Sequence, residues 1–350
     1  MKPPRVVIIG GGIIGCAVAW RLAQRGAQVV VLEKETQPGT KSSWAAAGML
    51  LPILESDSLL RPLAAASFAE YPQFVAELRE ATGIDARLVI EGPHSGSVDN
   101  RELTRALHRA AAQAGAEFRF GVTARKVVST GARFQLVEVA DGNPVQADAV
   151  VIAAGAWSGE LLGLPLRLPV VPVRGQMLAV EHVPPFVAQI VEGERCYLVP
   201  RGDRLLIGAT VERVGFDEHT TDSAISNLMT AARELEQRIA DAHIIEAWAG
   251  LRPGTPDDLP ILGADSRIAG VFYATGHYRN GILLAPITAR VMTELIVEGS
   301  SSIDLAEFSV ERFVVDVGDP RCDLCGAPMK EWHCRIICTG CGYQRDCSDP

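Results

Sequence analysis

The chain has 350 residues, 48% of them hydrophobic, and carries a net charge of −9 from 42 acidic and 33 basic side chains. That is enough apolar side chain to bury a large core over about two domains. The acidic balance offers no basic field for nucleic acid or an anionic membrane, and no apolar stretch reaches the ~20 residues that span a bilayer.

In chain order, the amino-terminal segment carries the strongest signal. Val6, Val7, Ile8 and Ile9 form an apolar run that predicts a buried strand, and the turn Gly10-Gly11-Gly12-Ile13-Ile14-Gly15 follows. A helical pattern to Arg25, a second apolar run over 29–32 and then Glu33 complete a dinucleotide-binding fingerprint. Gly10 permits the tight turn, Gly12 lets a pyrophosphate approach the backbone, and Gly15 lets the helix press on the strand. Glu33, at the end of the second strand, is placed to accept hydrogen bonds from a ribose diol. Lys2 and Arg5 ahead of apolar residues ending at Cys16 imitate a lipoprotein signal. Three consecutive glycines and the helical pattern continuing through Ala17-Val18-Ala19-Trp20-Arg21-Leu22 argue against that reading.

The small-residue stretch Ser42-Ser43-Trp44-Ala45-Ala46-Ala47-Gly48-Met49 suits close passage of backbone over a flat ligand. Helices are predicted over 59–81 and 102–114, and strands over 117–120, 125–128 and 134–139. The apolar run 149–155, ending in Gly155, reads as a buried parallel strand. From 166 to 246 the texture changes to proline-punctuated strands with one amphipathic helix over 225–239. A buried strand over 270–274 then leads through Gly276-His277-Tyr278-Arg279-Asn280-Gly281 into a helix over 282–297. No internal repeat or low-complexity tract is present.

The last thirty residues hold six of the eight cysteines. Cys322-Asp323-Leu324-Cys325-Gly326 and Cys338-Thr339-Gly340-Cys341-Gly342 are two CxxCG knuckles at hairpin separation, the pattern of a zinc ribbon with Cys322, Cys325, Cys338 and Cys341 as ligands. Disulfides and a rubredoxin-like iron are the alternatives, and His333, Cys334 and Cys347 are left outside the ligand set because they break the paired symmetry. So small a tail needs the metal for its stability. Four thiolates imply a reducing compartment, consistent with cytoplasm. The basic residues Arg321, Lys330, Arg335 and Arg345 are balanced by Asp323, Glu331, Asp346 and Asp349, which favours docking to protein or covering a pocket over binding nucleic acid.

Taken together, the fingerprint, the Ser42 to Met49 stretch, Cys196-Tyr197-Leu198-Val199-Pro200-Arg201, Trp248-Ala249-Gly250-Leu251-Arg252-Pro253-Gly254-Thr255 and Gly276-His277-Tyr278-Arg279-Asn280-Gly281-Ile282 resemble the glycine oxidases of the D-amino-acid oxidase superfamily. The resemblance covers most of residues 1–315. It implies an α/β fold: a Rossmann-like FAD-binding domain from 1–55, 98–165 and 248–318, a discontinuous α+β substrate domain from 56–97 and 166–247, and the ribbon over 319–350. It also implies noncovalent FAD, oxidation of glycine or a related amine such as sarcosine or D-alanine to the imine, oxygen reduced to peroxide, and a link to thiazole synthesis for thiamine. Related enzymes assemble into tetramers. The cofactor residues it implies are Gly10, Gly12, Ile13, Ile14, Gly15, Glu33, Lys34, Ser42, Ser43, Ala46, Ala47, Gly48, Met49, Gly155, His277, Tyr278, Asn280, Gly281, Ile282 and Leu283. Arg252, Arg279 and Tyr197 are implied as the substrate-carboxylate residues.

Physical chemistry supports the last assignment. Every amino acid presents a carboxylate, and arginine supplies a planar fork that holds it bidentately. Arg252 precedes a Pro-Gly turn able to aim a side chain, Arg279 lies at a strand-to-helix junction, and Tyr197 can add a phenolic hydrogen bond. Each arginine read alone is equally a surface ion-pair partner. Hydride passage from the alpha carbon to flavin N5 requires positioning rather than a side-chain base. A helix starting at Asn280-Gly281 would offer a positive dipole end to the reduced flavin, and His277 reads as a packing residue rather than a base. Two departures bear on the pocket. Between Ile90 and Val98 the family makes a longer excursion, reduced here to Glu91-Gly92-Pro93-His94-Ser95-Gly96-Ser97, and Arg195 stands where relatives carry a histidine. A dehydrogenase of the same fold passing electrons to a carrier or quinone, and a noncatalytic flavoprotein binding module, are the other readings.

Overall fold

The computed structural model describes residues 3–52 and 59–314 and, in the tail, 322, 324, 325, 327, 329–332 and 335–346. The remaining cysteine-rich positions of the tail, including His333, Cys334 and Cys347, lie outside the described residues.

Continuous apolar runs become the centre of a six-stranded sheet because both of its faces are covered. Its order is Ile261–Ala264, Val271–Thr275, Ala149–Ile152, Arg5–Ile9, Gln28–Glu33 and Glu117–Phe120. All neighbours run parallel except the first pair. Alternate residues divide between two cores: Val6, Ile8, Val29 and Val31 pack with the helices, while Val7, Ile9, Val30 and Leu32 pack with the meander strands Ala124–Thr130, Arg133–Val139 and Val145–Gln146. Ile13–Gln24, the first helix, packs on Asn100–Gln113 and Ala285–Val297. Cys16 is fully buried inside it, as a helical reading of that segment requires.

Several predicted boundaries move for identifiable reasons. The helix expected from 102 begins at Asn100, because the Asp99 carboxylate accepts from the amides of Arg101 and Glu102, both at 3.1 Å. The helix expected over 225–239 runs from Asp222 to Leu235 behind the cap Thr221, and Glu236 turns extended before a short 3-10 segment, Gln237–Asp241. The strand expected to reach 155 stops at Ile152, and Gly155, at φ 53°, opens another 3-10 turn. The helix expected from 282 starts at Ala285, with Pro286 in its first turn.

A second sheet, antiparallel, has the order Val191–Glu192, Tyr197–Arg201, Arg204–Gly208, Val171–Glu181 and Ile244–Gly254, with Asp222–Leu235 packed against it. The long Ile244–Gly254 strand carries its backbone without a break across position 248 to Arg252. Val89–Gly92 and Ser95–Ser97 form a short hairpin, and its Glu91 carboxylate accepts from the amide of Ile190, the residue before the Val191–Glu192 strand of the second sheet. In the tail, Met329–Trp332, Arg335–Cys338 and Gln344–Asp346 pair antiparallel. Among the described residues no helix is long and apolar enough to cross a membrane.

Candidate active site

A cleft of about 710 Å³ runs from the carboxyl edge of the parallel sheet to the second sheet, within the ~300–1,000 Å³ typical of ligand sites. One end is a backbone cradle. Gly10, at φ 110°, passes so close to the next strand that a Cβ there would stand 2.4 Å from the Ala153 carbonyl, and a Cβ on Gly15 would stand 1.9 Å from the Gly10 carbonyl. These two glycines therefore set the approach of helix, strand and ligand. Gly12 lines the opening, and the Ser43 hydroxyl accepts from the Ile13 amide at 2.9 Å, capping the helix start.

Glu33 is buried at the cleft wall, one carboxylate oxygen accepting from the Gly11 amide at 2.6 Å and the other from Glu35 at 2.9 Å. Burial raises its pKa while those two amides pull it back. Each oxygen keeps a further lone pair for a ligand hydroxyl. Beside it, the Lys34 ammonium lies 3.2 Å from the centre of the Trp157 ring, and burial, followed by repulsion from Lys41, lowers its pKa.

Of the residues assigned to cofactor binding by resemblance, Gly10, Gly12, Ile13, Ile14, Glu33, Lys34, Ser42, Ser43, Ala46, Ala47, Gly48, Met49, Gly155, His277, Tyr278, Asn280, Gly281 and Ile282 border the cleft. Gly15 and Leu283 stand behind it, the first as a packing glycine and the second with its carbonyl accepting from Ser67 at 2.7 Å. Tyr71 likewise donates to the Ile282 carbonyl. These two bonds tie the 280–284 turn to the 61–82 helix, so a turn rather than the first turn of a helix stands at Asn280-Gly281 beside the cleft.

The opposite end gathers the candidate substrate groups. Arg252, Arg279 and Tyr197 all border it, from different strands and loops. A guanidinium N–H of Arg252 donates to the Thr210 carbonyl at 3.0 Å, and the group lies across Gly175, where any Cβ would stand 2.4 Å from its nitrogens. Burial raises the pKa of the Tyr197 phenol against the pull of Arg252, which hydrogen-bonds it, and of Arg279. The phenol therefore remains a donor. Arg279 is held by its neighbour, with its guanidinium carbon 5.1 Å from the Tyr278 ring centre. Tyr278 at φ 46° and Asp258 at φ 58° are left-handed non-glycine residues, a strained backbone of the kind that concentrates at functional sites. Arg195 also borders the cleft and pairs with Glu234.

His277 bears no base chemistry. Its ring is buried, Nε2 lies 3.1 Å from Thr288 Oγ1, and desolvation pushes its pKa down to about 3. So weak a base cannot serve near neutral pH. The imidazole is neutral when folded and protonates below its ordinary value when unfolded, so stability falls as pH drops from about 6.5 toward 3. Replacing it by Gln is expected to flatten that part of a pH series of urea melts; an unchanged slope would assign the loss to other groups.

Sequence reasoning missed Arg201, whose guanidinium donates to the Ala47 carbonyl at 2.7 Å and that of Val98 at 3.0 Å and so shapes the small-residue loop. It also missed Trp157, Met177 and Glu192 on the cleft wall. Burial raises the Glu192 pKa, yet in the charged run Glu192-Gly193-Glu194-Arg195 it reads as a solvated turn. No local signal marks it.

In the tail, the sulfurs of Cys322, Cys325, Cys338 and Cys341 lie within 4.8 Å of one another. Two of the separations are 3.7 Å, between Cys322 and Cys341, and 3.3 Å, between Cys325 and Cys338. Four sulfurs ~2.3 Å from a tetrahedral ion would be roughly 3.8 Å apart, whereas a disulfide needs about 2.05 Å. Gly340 and Cys341 direct their amides at the Cys338 sulfur, at 3.3 and 3.4 Å. Burial pushes the Cys338 thiol up to about 12, whereas at Cys322 burial is outweighed by backbone amides, which bring the thiol down to about 7.

A parallel sheet with a glycine cradle and a buried acid at its edge, which supplies Arg279 from the loop after Val271–Thr275, faces an antiparallel sheet that contributes Arg252 and Tyr197, the arrangement of an oxidoreductase of the flavin-dinucleotide class. The profile of the DAO family, FAD dependent oxidoreductase, matches residues 5–92 and 86–295, and the chain belongs to that family. Its two matched pieces meet at the short hairpin around 89–97. The chain is similar to the bifunctional protein ThiO/ThiG of Trichormus variabilis, 37% identical over 88% of this chain and 55% of that protein. It thus spans about half the length of the bifunctional relatives it matches. It is 34% identical to the glycine oxidase of Geobacillus kaustophilus over 89% of this chain and 98% of that one. The crystal structure of glycine oxidase from the same organism superposes with a TM-score of 0.82, covering 91% of this chain and all of the other at 33% identity.

Proposed function

We propose that this protein oxidises glycine or a similarly small amine, such as sarcosine or D-alanine, to the imine, in the service of thiazole synthesis for thiamine. The observation that carries this reading is the convergence of Arg252, Arg279 and Tyr197 at the end of the cleft away from the glycine cradle. FAD, when bound, supplies the hydride acceptor at N5 and returns the electrons to oxygen as hydrogen peroxide. Gly10, Gly12 and Glu33 would hold its adenosine and pyrophosphate end, and Ser42, Gly48 and the 280–282 turn its ring.

The substrate's carboxylate would lie between the Arg252 and Arg279 guanidiniums, with Tyr197 donating a third hydrogen bond. Fixing the carboxylate fixes the alpha carbon, so positioning supplies the rate and no side-chain base is required. The closeness of Met177 to the Tyr197 hydroxyl, 3.7 Å, and the wall at Glu192 favour small side chains. Anaerobic mixing of the purified yellow protein with glycine, sarcosine and D-alanine is expected to bleach the flavin, and aerobic turnover to release peroxide. Bleaching without peroxide would make it a dehydrogenase, and no bleaching by any amine would sink the reading.

We also propose zinc at the four cysteines, supported by their separations and by the amides aimed at Cys338. About one zinc per chain should be found by plasma mass spectrometry, and should be lost in Cys338→Ser; iron in its place would make the tail rubredoxin-like.

A further inference from the structure

The ribbon does not hang free. Gln344 donates to the Pro256 carbonyl at 3.1 Å, Lys330 donates to the Arg312 carbonyl, and Gly342 faces Arg213, a Cβ there standing 3.5 Å from its guanidinium. Pro256 and Arg312 flank one buried ion pair: Asp257 receives Arg312 at 2.7 and 3.2 Å, with side chains only 2% and 6% exposed. Arg312 also donates to the carbonyl of Leu259 at 2.9 Å, and Thr255 donates to the same carbonyl at 2.7 Å.

This tightly bonded turn, residues 253–259, directly follows Arg252. It also clasps the Arg279 loop. The Tyr278 amide donates to the Pro253 carbonyl at 3.1 Å, and Gly276 sits against Thr255, where a Cβ would come within 2.7 Å of its methyl. Asp258 adds its negative field to Arg279. A short chain of bonds therefore links the cysteine quartet, the 253–259 turn and both arginines.

We propose that the metal-bound ribbon is a brace for the carboxylate end of the cleft, holding the 253–259 turn from outside so that Arg252 and Arg279 stay in register. Gln344, Lys330 and Asp257 are positioning residues in this arrangement. The proposal rests on reading that end of the cleft as a carboxylate site. Metal loss would free the ribbon strands, release Pro256 and Arg312, and let the two guanidiniums separate. Substrate affinity would suffer, while the cradle at the distant end would keep its flavin.

Two variants of the whole 350-residue chain test this: Cys338→Ser/Cys341→Ser, without metal, and Lys330→Ala/Gln344→Ala, which retains all four ligands. Each is compared with the parent for metal content, 450 nm absorbance, hydrogen exchange over 253–259 and 276–281, and steady-state kinetics with glycine. Both variants are expected to keep flavin, to exchange at least about fivefold faster over 253–259, and to raise KM about fivefold or more with kcat within about twofold. Exchange over 253–259 unchanged in the metal-replete Lys330→Ala/Gln344→Ala protein overturns the brace and leaves the ribbon a module for another partner. That readout needs no substrate. If no amine reduces the flavin but exchange rises, the oxidase reading falls and the brace stands.

Discussion

An Arg252→Ala protein is expected to keep its flavin spectrum and lose about two to three orders of magnitude in kcat/KM for glycine. The size follows from removing a charged, hydrogen-bonding partner from the carboxylate, about 2–5 kcal/mol, at 1.4 kcal/mol for each tenfold. Arg252 lies flat against Gly175 and beside the Tyr197 phenol, so a shorter or differently shaped cation does not replace it. Arg252→Lys should recover only part of the loss, because an ammonium cannot form two parallel bonds. Since Arg252 is far from the glycine cradle, 450 nm absorbance should be retained. Unchanged KM and kcat in a flavin-loaded Arg252→Ala protein would move the substrate carboxylate elsewhere in the cleft.

Gly15→Ala should produce the second large effect, a protein isolated with little or no flavin and a lowered melting temperature. Its new methyl would lie 1.9 Å from the Gly10 carbonyl, which forces the first helix away from the first strand. Overpacking of this kind costs about 2 kcal/mol, or roughly 5 °C in a domain of this size, and displaces the amides that face the phosphates. Gly92→Ala is the control: its Cβ would meet nothing within 4 Å, and both flavin content and melting temperature should match the parent. Full flavin occupancy in Gly15→Ala would show that the cradle tolerates more separation than the packing suggests.

The flavin end of the cleft was legible in sequence because its recognition is local. Strand, turn, helix and acid lie within the first 33 residues, and the backbone pattern they dictate is the binding surface itself. The substrate end was legible only as motifs. Tyr197, Arg252 and Arg279 are separated by dozens of positions, and nothing in their spacing places them at one wall; for Tyr197 and Arg252 that follows from strand pairing through Arg204–Gly208 and Val171–Glu181, and for Arg279 from its loop bonding to the Pro253 carbonyl. Glu192 and Trp157 escaped notice because lining a cleft is a property of packing, not of local composition. The start of the last helix was misplaced for a related reason: the 280–284 turn is held by Ser67 and Tyr71 from a helix more than two hundred residues earlier.

Sequence alone determined the fold class, the dinucleotide, and the four cysteines capable of enclosing a metal, since each depends on residue types at short and rigid spacings. Tertiary structure decided the rest. It brought two arginines and a phenol to one point, withdrew His277 from chemistry by burying it beside Thr288, and seated the ribbon on the turn behind Arg252. These are contacts between distant segments, and they exist only once hydrophobic burial and strand register have folded those segments against each other.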